Sequence, residues 1–251
     1  MTTTSWIFLI GGIGLAWLLA VGWNRRRVRA CDGAGDPDAD VVLFAEPIRW
    51  LFIIWGFAGF CRGLRKSGSP AQVHLFRWSS LAGALLVIPD LVRNGRQQRK
   101  ADRLARRIEK LAAQNTGRRI HLVGYSSGTF LVLEACRRVT CPEAIGKVVL
   151  LAGSVSPRYP LDALPDGVDE LHNFYSALDL IAGVGPLLFG SNDRRWSPGC
   201  GMVGFADAPP FLIQHAWQLR DVRLGYCGDH FTIASPTFVE KRIAPILNTK
   251  S

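Results

Sequence analysis

A chain of 251 residues, 48% apolar and 20% charged, holds one α/β domain with a packed core and a short appendage, which excludes a disordered chain. Thirty basic against 20 acidic residues give a net charge of +10. With no zinc-ligand spacing and no RNA-reading motif, that excess points to an anionic membrane surface and away from nucleic acid.

The first element is SWIFLIGGIGLAWLLAVGW, Ser5 to Trp23, a run without a charge. At ~1.5 Å per residue it matches a bilayer core of ~30 Å. Arg25, Arg26, Arg27 and Arg29 follow it, and no Lys or Arg precedes it. A cleaved signal peptide has the opposite order. The positive-inside bias therefore predicts a single-pass anchor in the cell membrane with the remaining chain in the cytoplasm. Residues 1–30 are read as this anchor and its basic flank. CDGAGDPDAD (31–40) reads as a linker from its Gly, Pro and Asp content, and 41–251 as the folded domain. Six scattered cysteines without a CxxC pair suit a reducing compartment.

Within that domain VVLFA (41–45), WLFIIW (50–55) and VHLFRW (73–78) read as strands. The apolar run from Trp50 to Phe60 is too short to span a membrane. SLAGALLVIPDLV (80–92) reads as a loop and short helix broken at Pro89. Asn94 to Thr116 carries Ala101, Leu104, Ala105, Ile108, Leu111 and Ala112 on one helical stripe, with Arg and Lys opposite. RIHLV (119–123) reads as a strand, TFLVLEACRRV (129–139) as a helix, and KVVLLAG (147–153) and LHNFYS (171–176) as strands. Phe211 to Gln218 is expected to be a helix, DVRLGY (221–226) the last strand, and FVEKRIAPIL (238–247) a terminal helix. Short apolar strands alternating with helices imply an α/β fold, a mostly parallel sheet with helices on both faces.

One motif carries chemistry. Gly124-Tyr125-Ser126-Ser127-Gly128 fits G-x-S-x-G between a strand and a helix, the context in which the middle Ser stands exposed on a strained turn. Ser126 is thus the candidate nucleophile. A serine hydroxyl needs a base, and the base an orienting carboxylate, which in this arrangement follow in the order Ser, acid, His. Of five histidines, His74 and His121 precede Ser126 inside strands, His172 starts a strand and His215 lies in the expected helix. His230, in GYCGDHFT after the last expected strand, is the candidate base. Asp179, just past LHNFYS, is the candidate acid, with Asp193 and Asp207 as alternatives; Asp229 adjoins His230 and diverges from it. Two backbone donors are expected for an oxyanion, Ser127 N–H and one from Gly56-Phe57-Ala58-Gly59, assigned to Phe57. Ile181 to Pro210, without clear periodicity, is expected to cover one side of the site.

GYSSG, the Asp179 loop and the GDH loop resemble the α/β-hydrolase superfamily, over roughly Val41 to Leu247, and most of all compact bacterial lipase- or esterase-like members without a large cap. The resemblance implies a sheet of the eight-strand type, a Ser126–His230–Asp179 triad, and neither metal nor organic cofactor. It implies hydrolysis of an ester or thioester, on a lipid-like or other hydrophobic acyl group near the membrane. An acyltransferase using the same triad and a catalytically silent, membrane-tethered scaffold are the alternative readings.

Overall fold

A computed structural model describes residues 3–49, 51–79, 94–114, 117–168 and 170–248. Six strands form one parallel sheet: β1 (Val41–Ala45), β2 (Gln72–Phe76), β3 (Ile120–Tyr125), β4 (Ile145–Leu151), β5 (Leu171–Tyr175) and β6 (Leu212–Ala216), in the order β2-β1-β3-β4-β5-β6. The helices are α1 (Thr3–Arg29), α2 (Phe57–Lys66), α3 (Asn94–Gln114), α4 (Gly128–Cys136), α5 (Leu180–Phe189), α6 (Cys200–Val203) and a terminal helical segment, α7 (236–248), which carries a π turn at Val239–Ile243. The resemblance implies eight strands; six are present among the described residues.

β1, β3 and β4 are buried throughout, and apolar except for His121 and Lys147, because both of their faces are covered. In β1, Val41, Leu43 and Ala45 point into a core with Leu104, Ile108, Phe130 and Leu133 of α3 and α4. Val42 and Phe44 point the other way, into a core with Phe57, Phe60 and Leu64 of α2 and Phe238 and Ile243 of α7. The period-2 alternation of side chains turns one apolar strand into a partner for two helical layers.

Three expectations need correction. WLFIIW is not a strand: Leu51 and Phe52 form a turn at φ 49° and 64°, and Ile54 and Trp55 are irregular. Leu51, Phe52 and Ile54 meet α1, as described below, and Trp55 lines the cavity of the site. Phe211 to Gln218 is not a helix but contains β6, an edge strand whose outer face supplies the polar positions that imitated helical spacing. DVRLGY is not a strand. Leu219–Leu224 is a 3₁₀ turn in which Gln218 and Asp221 cap each other, closed by Gly225 at φ 79°. The reading of residues 80–92 falls outside the described residues, and Ile181 to Pro210 proves partly helical, in α5 and α6.

α1 is long and apolar enough to cross a membrane by length and composition, with a mean hydropathy of 1.3 over Phe8–Arg29. Its C-terminal half is docked. Val21 and Val28 are buried, Trp17 Nε1 donates to Leu51 O at 3.2 Å, and the Trp17 and Phe52 rings lie 5.8 Å apart. The Asn24 side chain makes two bonds with Ile54, Nδ2 to its carbonyl at 3.1 Å and Oδ1 from its N–H at 3.0 Å. The segment after α1 is held too: Gly33 N–H donates to Val73 O and Val73 N–H to Ala34 O, at 2.8 and 2.9 Å, along the free edge of β2. Occupied in this way, that edge offers few groups for edge-to-edge pairing.

Candidate active site

The chain leaves β3 and enters α4 within two residues. Ser126 sits between them at φ 54°, a conformation a residue with a Cβ rarely holds without outside support. Ser126 N–H donates to Leu151 O at 2.8 Å, and Thr129 N–H to Ser126 O at 3.0 Å. The flanking glycines are dictated by space: a Cβ on Gly124 would lie 2.7 Å from Thr129 Cα, and one on Gly128 2.4 Å from Ala45 O. G-x-S-x-G is here a packing requirement of strand, turn and helix. Ser126 Oγ is left at the carboxyl edge of the sheet beside the N-terminus of α4, whose unpaired N–H groups favour negative charge.

His230 and Asp179 converge on it from two loops. His230 Nε2 lies 2.9 Å from Ser126 Oγ, and His230 Nδ1 lies 2.8 and 3.0 Å from the two carboxylate oxygens of Asp179. Asp179 is also the N-cap of α5, with Oδ1 accepting from Ala182 N–H at 2.9 Å. One carboxylate thereby holds both the imidazole and the helix that walls the site. Both side chains are buried. Tyr125, the residue before Ser126, donates its hydroxyl to the His230 carbonyl, and its ring centroid lies 5.6 Å from the imidazole. Burial first, then the Asp179 charge, hold the Tyr125 phenol well above its ordinary value, so it stays a donor.

The other acids are committed elsewhere. Asp229 accepts from Phe231 and Thr232 N–H at 2.8 and 3.0 Å and shapes the turn after His230. Asp193 accepts from Ser156 N–H and the Ser191 hydroxyl, both at 2.7 Å, and Asp207 is exposed.

Of the two expected oxyanion donors, Ser127 stands at the site and its N–H has no acceptor among the described residues. Phe57 does not. Its N–H donates to Trp55 O at 2.9 Å, and its side chain is buried under the sheet. The assignment followed from reading residues 50–55 as a strand; the strand beside β3 is β1, and the loop leaving it is Glu46-Pro47-Ile48. Ile48 N–H donates to Ser127 Oγ at 3.2 Å and ties that loop to the elbow. Glu46, fully buried, anchors it from the other side by accepting from Trp78 N–H, Ser79 N–H and the Ser79 hydroxyl.

These groups open into an apolar cavity of about 190 Å³. Ile48, Trp55 and Phe231 form one wall, and Ile181, Ala182 and Pro186 of α5 another; Trp55 and Phe231 meet at 5.1 Å. Ser154, just past β4, and Asn192, hydrogen-bonded to one another, are the polar members. Sequence reasoning missed Ile48, Trp55, Ser154 and Asn192. Only Ser154 carried a signal, its place at the carboxyl end of a strand next to β3. The lining is poor in charge, and no group of three or more metal-binding side chains occurs among the described residues.

No family model matches the chain, and neither does any curated protein. Among solved structures it is similar to dienelactone hydrolase from Anabaena variabilis ATCC 29413, at 15% identity and a TM-score of 0.52 over 85% of this chain and 87% of that one. It is also similar to the mature lipase BlEst2 of Bacillus licheniformis, at 13% identity and a TM-score of 0.51 over 87% and 96%. Likeness at this level of identity concerns the backbone: the chain has the α/β-hydrolase fold.

Proposed function

We propose that this α/β-hydrolase-fold chain is a serine hydrolase that cleaves an ester or thioester through an acyl-enzyme. The observation that carries the reading is the unbroken relay from Asp179 through His230 to Ser126 Oγ at the head of an apolar cavity. The two similar proteins bear the names dienelactone hydrolase and lipase, in keeping with such chemistry.

His230 Nε2 takes the Ser126 proton as Oγ attacks the carbonyl carbon, and Asp179 keeps the other imidazole proton on Nδ1 and stabilises the imidazolium. The tetrahedral oxygen receives Ser127 N–H. The Ser127 hydroxyl supplies the second bond: its oxygen already accepts from Ile48 N–H, which leaves its own proton to donate. His230 then protonates the leaving alcohol or thiol. Water, deprotonated by His230, attacks the acyl-enzyme; the acid departs and the proton returns to Ser126.

The cavity is narrower than the ~300–1,000 Å³ of drug-sized ligand sites and takes one apolar acyl arm. α1 serves as a single-pass anchor with its arginines on the cytoplasmic side, so the substrate is a hydrophobic ester met at the membrane. A series of p-nitrophenyl esters of increasing chain length tests this. Hydrolysis by the full chain should peak at a short to medium acyl group and vanish in Ser126→Ala. Persistence of turnover in that variant refutes the proposal.

A further inference from the structure

The contact between α1 and the loop at residues 51–55 fixes how deep the domain sits, if α1 crosses the bilayer. The uncharged run Ser5–Trp23 is about as long as a hydrocarbon core of ~30 Å is thick, and Trp17 stands within it, about 18 Å from its first residue. Trp17 must therefore lie inside the core, and it holds Leu51 and Phe52 there with it. The apolar run ends at Trp23, six residues on, so this contact lies about 9 Å below the cytoplasmic edge of the core. The loop then climbs along the helix until Ile54 meets Asn24, level with that edge. Leu51, 40% exposed beside α1, suits hydrocarbon and not water.

The next residue, Trp55, is already on the cavity wall. The rim continues through Phe231 and Leu178, which abuts Gly228 of the His230 loop, to the outer face of α5. There Leu180 and Leu188 are 65% and 62% exposed, in line with Val184 at helical spacing. A contiguous apolar rim of this kind marks a membrane or protein contact, and its continuity with a loop that α1 holds inside the core selects the membrane.

We infer that the domain is seated in the cytoplasmic leaflet, with Leu51, Phe52 and the outer face of α5 in lipid, so that the cavity opens onto the hydrocarbon and takes its ester from the bilayer. The inference rests on α1 as a bilayer span and deepens the reading of the site. It makes the enzyme selective by location: an ester dissolved in the leaflet reaches Ser126 without crossing water.

The test uses the full chain in phosphatidylcholine–phosphatidylglycerol vesicles, with a polarity-sensitive fluorophore on one introduced cysteine in a background carrying Cys141→Ser and Cys227→Ser, the two cysteines that are not buried. The sites are Ile10→Cys in α1, Leu188→Cys on α5, and Ala113→Cys, exposed on α3 at the far edge of the sheet. Lipids brominated near the glycerol end of their chains should quench the first two and spare the third. Quenching at Ile10 but not Leu188 overturns the inference and leaves the anchor standing. No quenching at Ile10 removes the anchor, and the inference with it. Blue-shifted but unquenched emission at Leu188 means that a second copy covers α5, and also overturns it. Independently, Leu187→Asp with Leu188→Asp should slow hydrolysis of a bilayer-resident ester, a medium-length acyl group on a long-chain alcohol, about tenfold and leave a soluble short ester unchanged. Equal effects on both esters contradict the inference.

Discussion

Replacing Asp179 with Asn separates the two duties of that carboxylate. As an N-cap it accepts from Ala182 N–H through Oδ1, and an amide oxygen can accept the same bond. As the orienting group it takes the Nδ1 proton of His230, at 2.8 and 3.0 Å from its two oxygens. An amide that keeps its oxygen on Ala182 N–H turns its NH₂ toward Nδ1. That nitrogen must then be the unprotonated one, and the proton moves to Nε2, facing Ser126 Oγ, where no proton can be taken up. The same exchange in triads of this kind costs about 10⁴ in turnover, or about 5.4 kcal/mol of transition-state stabilisation. The fold loses only the charge assistance at the cap, about 0.5–1 kcal/mol, which lowers the melting temperature by less than about 4 °C in a chain of this length. Asp179→Ala gives up both roles and strands the Ala182 N–H, so its melting temperature should fall further while its activity is no better. Turnover of a p-nitrophenyl ester and the thermal melt are measured on the same preparations. An Asn variant that keeps more than a tenth of wild-type turnover at an unchanged melt refutes the reasoning, because orientation would then not depend on the charge.

Ser127→Ala should lower kcat by about 10², since the hydroxyl proton is donated only as the oxyanion forms, and should also lower the melting temperature, since Ile48 N–H loses its acceptor; Ser127→Thr, which keeps the hydroxyl, should recover part of both, and steady-state kinetics and thermal melts of the pair check this. Gly128→Ala puts a methyl 2.4 Å from the Ala45 carbonyl. Overpacking of this kind costs about 1–3 kcal/mol, to be seen as a lower melting temperature together with lost turnover as the elbow shifts. Burial, with His172 and Arg242 nearby, lowers the His215 pKa from 6.5 to about 4. Between those values the unfolded chain binds a proton that the folded chain refuses, so stability is full above pH 6.5 and falls as the pH drops toward 4. His215→Phe keeps a ring against Phe174 and removes the charge, and its thermal melts should fall less steeply across that window than those of the wild type.

The elements that sequence pattern revealed are those whose composition has one cause. β1, β3 and β4 are mostly apolar because helices cover both faces, and α3 shows a clean stripe because one face is wet. WLFIIW deceived because an apolar run also arises where a loop meets an apolar helix, and composition does not say which neighbour a side chain has. β6 read as a helix because an edge strand mixes buried and exposed positions. That Ser126, His230 and Asp179 meet was readable from the strained elbow and the order of strand-end loops, although the strand before His230 was misplaced by one element. The loop that brings Ile48 to the elbow was not readable, because it depends on which strand lies beside β3, and no local pattern states that.

The most direct measurement is mass spectrometry of the full chain after reaction with a fluorophosphonate. The account predicts one adduct, on Ser126, formed at a rate that falls together with turnover in His230→Ala and Asp179→Asn. An unmodified Ser126, or an adduct on Ser127 or Ser154 in its place, contradicts it.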